Sequence, residues 1–185
     1  GLDFTAMDSS EQALENIGVP HSEMINDSSP LAQLPALKDL NLSFCRKLKD
    51  ISPLRSLISL ERLELADCNL INDWSPLACL IRLHSLQIYS CHSLNNLSPV
   101  SQLTSLKNLT LFECEAVHDL SPLAQLHSLQ TLELAKCHNI YDLQPLTGLS
   151  TLHSLYLTKC KNIINLPSLT TLTSLRVFSL QYCTR

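Results

Sequence analysis

Leucine recurs along this chain in a pattern that repeats every 23 residues. The unit reads Leu-x-x-Leu-x-x-Leu-x-Leu-x-x-Cys, first between Leu34 and Cys45, and the next unit begins at Leu57; Ile88 and Phe178 replace leucine in two of the repeats. The closing cysteine keeps the same interval throughout, at Cys45, Cys68, Cys91, Cys114, Cys137, Cys160 and Cys183. A fixed period of this length is typical of a solenoid, in which each repeat contributes one short strand and stacks on its neighbours.

Within each repeat, one segment alternates apolar and polar residues, which predicts a strand with one buried face. The apolar pairs are Leu40-x-Leu42, Leu63-x-Leu65, Leu86-x-Ile88, Leu109-x-Leu111, Leu132-x-Leu134, Leu155-x-Leu157 and Phe178-x-Leu180. Stacked about 4.7–4.9 Å apart, such strands form a parallel sheet whose inner face fills the coil with leucine.

The return arm of four repeats carries a Ser-Pro pair, at Ser52-Pro53, Ser75-Pro76, Ser98-Pro99 and Ser121-Pro122. Serine suits the N-cap of a helix and proline suits the first helical position. We therefore expect a short helical turn on the outer face of each repeat. The two leucines that open each unit, such as Leu34 and Leu37, are expected to pack inward from that turn.

These residues resemble the leucine-rich repeat family, in a variant with cysteine where many members have asparagine. The match covers residues 34–185 without an insertion or deletion, and a degenerate copy extends it backward through Leu14, Ile17 and Val19. The descending Asp-x-Ser-Pro-Leu segment is similar to repeats of bacterial, protozoan and plant proteins, including secreted effectors and immune receptors. The resemblance implies an α/β fold: a curved, right-handed leucine-rich-repeat solenoid with a parallel concave β-sheet, short helical turns on the convex side, and macromolecular partners bound on the concave sheet.

The chain divides into three segments on this pattern. Residues 1–6 match nothing in the repeat and are expected to be a vector remnant, with Met7 as the native start. Residues 7–33 are expected to form an N-terminal capping helix, which would end at Gly18, and a degenerate repeat. Residues 34–185 form seven 23-residue repeats, the last one incomplete, so its open strand edge predicts either a continuing chain or an edge-to-edge dimer.

Charge and hydropathy narrow the possible functions. The 185 residues are 45% hydrophobic with a formal net charge of −4. No apolar run approaches the roughly 18 residues of a membrane span, and no basic face of the kind that binds nucleic acid is evident. The sequence therefore predicts neither a membrane nor a nucleic-acid partner. Without a signal-peptide pattern, we expect a cytoplasmic protein or, alternatively, one delivered into a host cell by a signal-peptide-independent route.

Two polar columns of the repeat predict structural roles. The seven periodic thiols are expected to be reduced, to fill space and to bond nearby backbone. A second column is expected to accept backbone N–H groups of the Ser-Pro turns, and it comprises Asp27, Asp50, Asp73, Asn96, Asp119, Asp142 and Asn165. Neither a catalytic motif nor metal-ligand spacing is present, so we expect a non-enzymatic protein without cofactor or metal.

The outward residues of the strands remain as the candidate functional surface. Five of the nine aromatic residues fall on this face, and Tyr89 and Phe112 share one column in adjacent strands, so their rings should touch. Such a pair has two interpretations, a hot spot for a partner or a device that stabilises the sheet. The candidate partner-binding residues are Tyr89, Phe112, Tyr156, Glu133, His84, Lys107, Phe44 and Tyr182.

The sequence thus predicts a protein–protein interaction module that binds a macromolecular partner on its concave face. Two alternatives stay open. One is the substrate-recognition arm of a larger protein, such as a ligase, kinase or immune receptor. The other is a secreted bacterial effector or virulence protein.

Overall fold

Eight parallel strands form one open sheet in the computed structural model, which describes residues 16–18, 25–166 and 169–183. Each strand pairs with the next in chain order, and Leu63, Leu86 and Leu109 lie side by side, so the register advances by one 23-residue repeat per strand. The strands are β1 Asn16–Gly18, β2 Asp39–Asn41, β3 Arg62–Ala66, β4 Ser85–Tyr89, β5 Asn108–Phe112, β6 Thr131–Ala135, β7 Ser154–Thr158 and β8 Val177–Gln181. The predicted right-handed leucine-rich-repeat solenoid is confirmed.

The predicted alternation of buried and outward residues also holds. In β3 to β7 every inward leucine or isoleucine is at most 2% exposed, and these side chains belong to one continuous core. The leucines that open each repeat, such as Leu57 and Leu103, enter the same core from the opposite side. In β8 the inward Leu180 is 44% exposed, because among the described residues β8 has a neighbour on one side only.

The return arms form short 3₁₀ helices, as the Ser-Pro pairs predict, but serine is not their N-cap. In each case the serine is the first helical residue and the proline follows it. The Asp or Asn side chain two residues before the serine accepts the serine N–H instead. Asp50 Oδ1 accepts from Ser52 N at 2.7 Å. The helices are Ser29–Gln33, Ser52–Ser56, Ser75–Cys79, Ser98–Gln102, Ser121–Gln125, Gln144–Gly148 and Leu169–Thr171.

The expected role of the aspartate column is confirmed at six of its seven positions. The same bond recurs at 2.7–2.9 Å for Asp27, Asp50, Asp73, Asn96, Asp119 and Asp142. Asn165 is the exception, because the residue two positions on is Pro167, which has no backbone N–H to donate.

The periodic cysteines fasten the strand ends of neighbouring repeats. Cys114 Sγ lies 3.6 Å from the carbonyl of Ile88 in the preceding repeat and 3.6 Å from that of Phe112 in its own. The same pair of contacts recurs at Cys68, Cys91, Cys137, Cys160 and Cys183. Burial raises the pKa of the Cys114 thiol to about 11, so at neutral pH it stays protonated and able to donate. The predicted bonding of the thiols to backbone is therefore confirmed.

The N-terminal segment differs from the expected capping helix. Gly18, expected to end that helix, lies instead at the end of β1, where Ile17 pairs with Leu40 and is 8% exposed. A strand is favoured here because β2 offers a free row of backbone groups and the core accepts one more apolar side chain. Residues 1–15, which include the rest of the expected helix, lie outside the described residues.

Candidate partner-binding surface

The outward side chains line the concave sheet in columns, with one residue from each repeat. The column at the strand ends is defined by direct pairing of neighbouring strands and comprises Ala66, Tyr89, Phe112, Ala135, Thr158 and Gln181. In this column Ala66 precedes Tyr89, and Ala135 follows Phe112. The two rings therefore lie between neighbouring strands that carry small side chains at the same position.

Tyr89 and Phe112 are in contact, as the sequence predicts. Their ring centroids lie 6.2 Å apart with the planes tilted by 48°, within the range of favourable aromatic pairs. The Tyr89 hydroxyl donates to Gln87 Oε1 at 2.8 Å, which fixes the orientation of the ring. Burial raises the pKa of the Tyr89 hydroxyl, and the negative charges of Glu64 and Glu133 raise it further.

A lysine that the sequence analysis did not single out lies over the second ring. Lys136 Nζ is 4.8 Å from the centroid of Phe112 and forms an ion pair with Glu113. Ser90 donates to the other oxygen of Glu113 at 3.0 Å. Lys136 lowers the pKa of Glu113, with a smaller contribution from Ser90, so the carboxylate remains charged beside the ammonium. This contact is a cation–π interaction held in place by a carboxylate.

In each repeat one turn residue after the strand adopts a left-handed conformation, and these residues lie 23 positions apart. The φ angles lie between 52° and 64° at Phe44, Asp67, Ser90, Glu113, Lys136, Lys159 and Tyr182. The sequence pattern places Phe44 and Tyr182 among the outward strand residues. In the structure they belong instead to this column of turn residues.

Phe44 nevertheless lines the same cavity as the aromatic pair. The cavity has a volume of about 290 Å³ and is bordered by Phe44, Glu64, Ala66, Asp67, Tyr89, Ser90 and Phe112. We call it the aromatic socket. It exists because Ala66 stands between the large rings of the repeats on either side of it. Three of the eight predicted residues thus meet at one place.

The other five predicted residues lie elsewhere on the sheet. Glu133 and Tyr156 are direct neighbours across β6 and β7. His84 and Lys107 lie before their strands, where the Lys107 N–H donates to the His84 carbonyl at 2.9 Å. The exposed Tyr182 lies near β8, with Lys159 Nζ 6.0 Å from its ring centroid.

The described residues include neither a metal-binding cluster nor a membrane-spanning helix. They contain no group of three or more His, Cys, Asp or Glu side chains placed to hold a metal ion. Nor does any helix among them have the length and apolar character needed to cross a membrane.

Comparison with known proteins identifies relatives of the same architecture. A family model for leucine-rich repeats, in two copies, matches residues 35–79. Internalin C2 of Listeria monocytogenes is 34% identical with a TM-score of 0.69, over 84% of this chain and 67% of that one. The internalin inlF of the same species is 28% identical with a TM-score of 0.57, over 84% of this chain and 57% of that one.

A third solved structure, the leucine-rich repeat domain of the type III effector XopL, is similar in fold alone. It is 19% identical with a TM-score of 0.58, over 83% of this chain and 63% of that one. Comparison with curated proteins gives no significant match.

The family of such scaffolds is generally non-enzymatic and generally binds protein partners. The repeat period, the parallel sheet and the 34% identity to internalin C2 agree on one assignment. This chain belongs to the leucine-rich repeat family.

Proposed function

We propose that the chain is a protein-interaction module and that its concave sheet, centred on Tyr89 and Phe112, is the surface that binds the partner. The observation that carries the proposal is the aromatic socket. Its rings are half-buried, and the Tyr89 ring is oriented by its hydrogen bond to Gln87. Phe112 lies between Tyr89 and the ammonium group of Lys136. Rigid aromatic side chains lose little conformational entropy on binding, and they are enriched among the residues that dominate interface energies.

The sheet-stabilising interpretation of the ring pair accounts for less of the geometry. A pair that served only the sheet would need no third aromatic residue across a cavity, yet Phe44 lines the same socket. Cross-strand aromatic pairs contribute roughly 0.2–1 kcal/mol to a sheet. Hot-spot residues contribute ≥ about 2 kcal/mol to binding. The two interpretations therefore predict different consequences when the rings are removed.

The experiment compares three immobilised baits in affinity capture with quantitative mass spectrometry. They are the unchanged protein, the double variant Tyr89→Ala with Phe112→Ala, and the convex double variant Gln102→Ala with Gln125→Ala. Lysates of the organism that makes the protein and of cultured host cells are both used, because the two expected locations differ in which lysate holds the partner.

We expect the aromatic double variant to lose its captured partner by at least about thirtyfold, while the convex variant captures as much as the unchanged protein. Circular dichroism and thermal unfolding establish that both variants remain folded. Loss of the partner from the convex variant, with capture by the aromatic variant unchanged, would contradict the proposal and assign recognition to the 3₁₀ helices.

A further inference from the structure

One of the two paired rings already contacts a cationic side chain of the protein itself. Lys136 lies over Phe112, and Glu113 neutralises its ammonium group from the side. Glu113 is in turn oriented by Ser90. A ring, a carboxylate and a hydrogen-bond donor that orients the carboxylate thus suffice to hold a positive charge at this sheet.

The aromatic socket repeats the first two of these components on the other side of the ring pair. Tyr89 and Phe44 supply rings, and Glu64 supplies a carboxylate on the wall of the cavity. Ser43 donates to Glu64 Oε1 at 2.9 Å, as Ser90 does to Glu113. The parallel extends to the donor that holds the carboxylate.

What the socket lacks, among the described residues, is a cation. Within the described part of the chain, Glu64 has no cationic partner, whereas Asp67 at the rim is paired with Arg46 at 3.1 Å. Lys136 follows Phe112 by 24 residues. The residue at the same distance after Tyr89 is Glu113, which is a glutamate and not a lysine. Among the described residues no lysine lines the cavity, so the negative charge of Glu64 is not compensated there, and the charge of Glu133 is also felt at Tyr89.

We propose that the aromatic socket receives a positively charged side chain of the protein partner, an arginine in preference to a lysine; this inference rests on the proposed function of the concave sheet. A guanidinium stacks on aromatic faces while its N–H groups pair with a carboxylate, and it is more weakly hydrated than an ammonium group. The aliphatic part of the arginine side chain lies against Ala66, and its guanidinium group lies between the rings and Glu64.

The test is an NMR titration of the ¹⁵N-labelled protein with a defined probe. The probe is the blocked pentapeptide acetyl-Gly-Ser-Arg-Ser-Gly-amide, and its matched control carries citrulline, which has the shape of arginine without the charge. We expect saturable shifts of the Ala66, Tyr89 and Ser90 amides with the arginine peptide, and binding about tenfold weaker with citrulline.

Two variants separate the socket from general attraction to an acidic protein. Glu64→Gln keeps the size of the side chain and an oxygen for Ser43, and it should weaken binding of the arginine peptide about three- to tenfold. Glu115→Gln removes an equal charge from the exposed descending segment and should leave binding unchanged. The amide spectrum of each variant reports whether its fold is intact.

Absence of saturable binding, equal binding of the citrulline peptide, or equal effects of the two glutamine substitutions would each overturn the cation site. Failure of the proposed function is distinguishable from this result. If Tyr89→Ala with Phe112→Ala abolishes partner capture but Glu64→Gln does not, the concave interface stands and only the charged occupant of the socket is wrong.

Discussion

Two neighbouring residues in β5 show how one strand serves two purposes. Leu109 is fully buried in the core, whereas Thr110, the next residue, lies half-exposed on the concave sheet between Gln87 and Glu133. Their environments differ because successive side chains of a strand point to opposite faces. The stability of the fold and the chemistry of the surface are therefore encoded at alternate positions.

Replacing Leu109 by alanine should cost about 2–5 kcal/mol of unfolding free energy, because the stack on both sides prevents the cavity from collapsing. Thr110→Ala is the matched control and should stay within about 0.5 kcal/mol. Urea unfolding followed by circular dichroism measures both. Equal losses for the two variants would mean that the assignment of inward and outward positions is wrong.

The left-handed turn residues carry a local cost that the stacking offsets. A non-glycine residue in this conformation costs roughly 1–2 kcal/mol. The turn backbone gains a hydrogen bond to the next strand in return, as where the Glu113 N–H donates to the Ala135 carbonyl at 2.9 Å. None of the seven positions holds glycine, so residue type gave no signal of the turn. The sequence analysis consequently placed Phe44 and Tyr182 in the strands.

At the scale of elements, the turn that begins each 3₁₀ helix depends on one side-chain acceptor. Asp119 Oδ1 accepts from the Ser121 N–H at 2.8 Å, and Asn96 does the same for Ser98 at 2.8 Å. An amide oxygen therefore replaces the carboxylate in the natural sequence. The bond, and not the charge, is what the turn requires.

Asp119→Asn should leave stability at pH 7 within about 0.5 kcal/mol, whereas Asp119→Ala should cost about 0.5–1 kcal/mol, at the low end for a capping residue. Chemical unfolding at pH 7 measures both substitutions. Glu115→Ala, a change at a nearby exposed carboxylate, serves as the control and should be neutral. A loss in the asparagine variant as large as in the alanine variant would show that charge matters more than the hydrogen bond.

The Asp119→Asn variant also tests how the stability of the protein depends on pH. Hydrogen bonds from Ser121 lower the pKa of Asp119, and equivalent bonds lower the pKa of Asp27 and Asp73. Their stabilising contribution is therefore present above the ordinary carboxyl pKa of about 4 and is lost as the pH falls through the lowered value. Asp119→Asn should lose less stability than the unchanged protein when the pH is lowered from about 5 to about 2.

The elements also show where sequence patterns reach their limit. Period and alternation are sufficient to predict the strands, the burial of Leu109 and the contact of Tyr89 with Phe112. Each follows from the repeat spacing and from the face of the sheet to which a strand side chain points. The 3₁₀ helix begins at serine and not after it, because the aspartate already satisfies the first free N–H. Lys136 was missed because its approach to Phe112 depends on the left-handed turn, which no residue type announced. The sequence predicts a helix that ends at Gly18, because capping residues carry no information about the open edge of β2 with which β1 pairs.

At the scale of the whole molecule, stacking separates folding from recognition. Inward side chains from β1 to β7 form one core, against which Phe178 of β8 packs, while the outward columns lie outside that core. The predicted site residues are accordingly spread along the sheet, and only Phe44, Tyr89 and Phe112 meet in the aromatic socket. We therefore expect the middle repeats to supply the centre of the interface, and Tyr182 near β8 to contribute independently of it.

The most direct test of this account is site-specific photo-crosslinking. A photoreactive benzoyl-phenylalanine replaces Thr110 on the concave sheet in one protein and Gln125 on the convex 3₁₀ helix Ser121–Gln125 in another. Each is illuminated in the lysate from which the partner is captured, and the adducts are identified by mass spectrometry. The account predicts that a crosslinked protein partner forms from position 110 and not from position 125. Crosslinking of the partner from position 125 alone would contradict it.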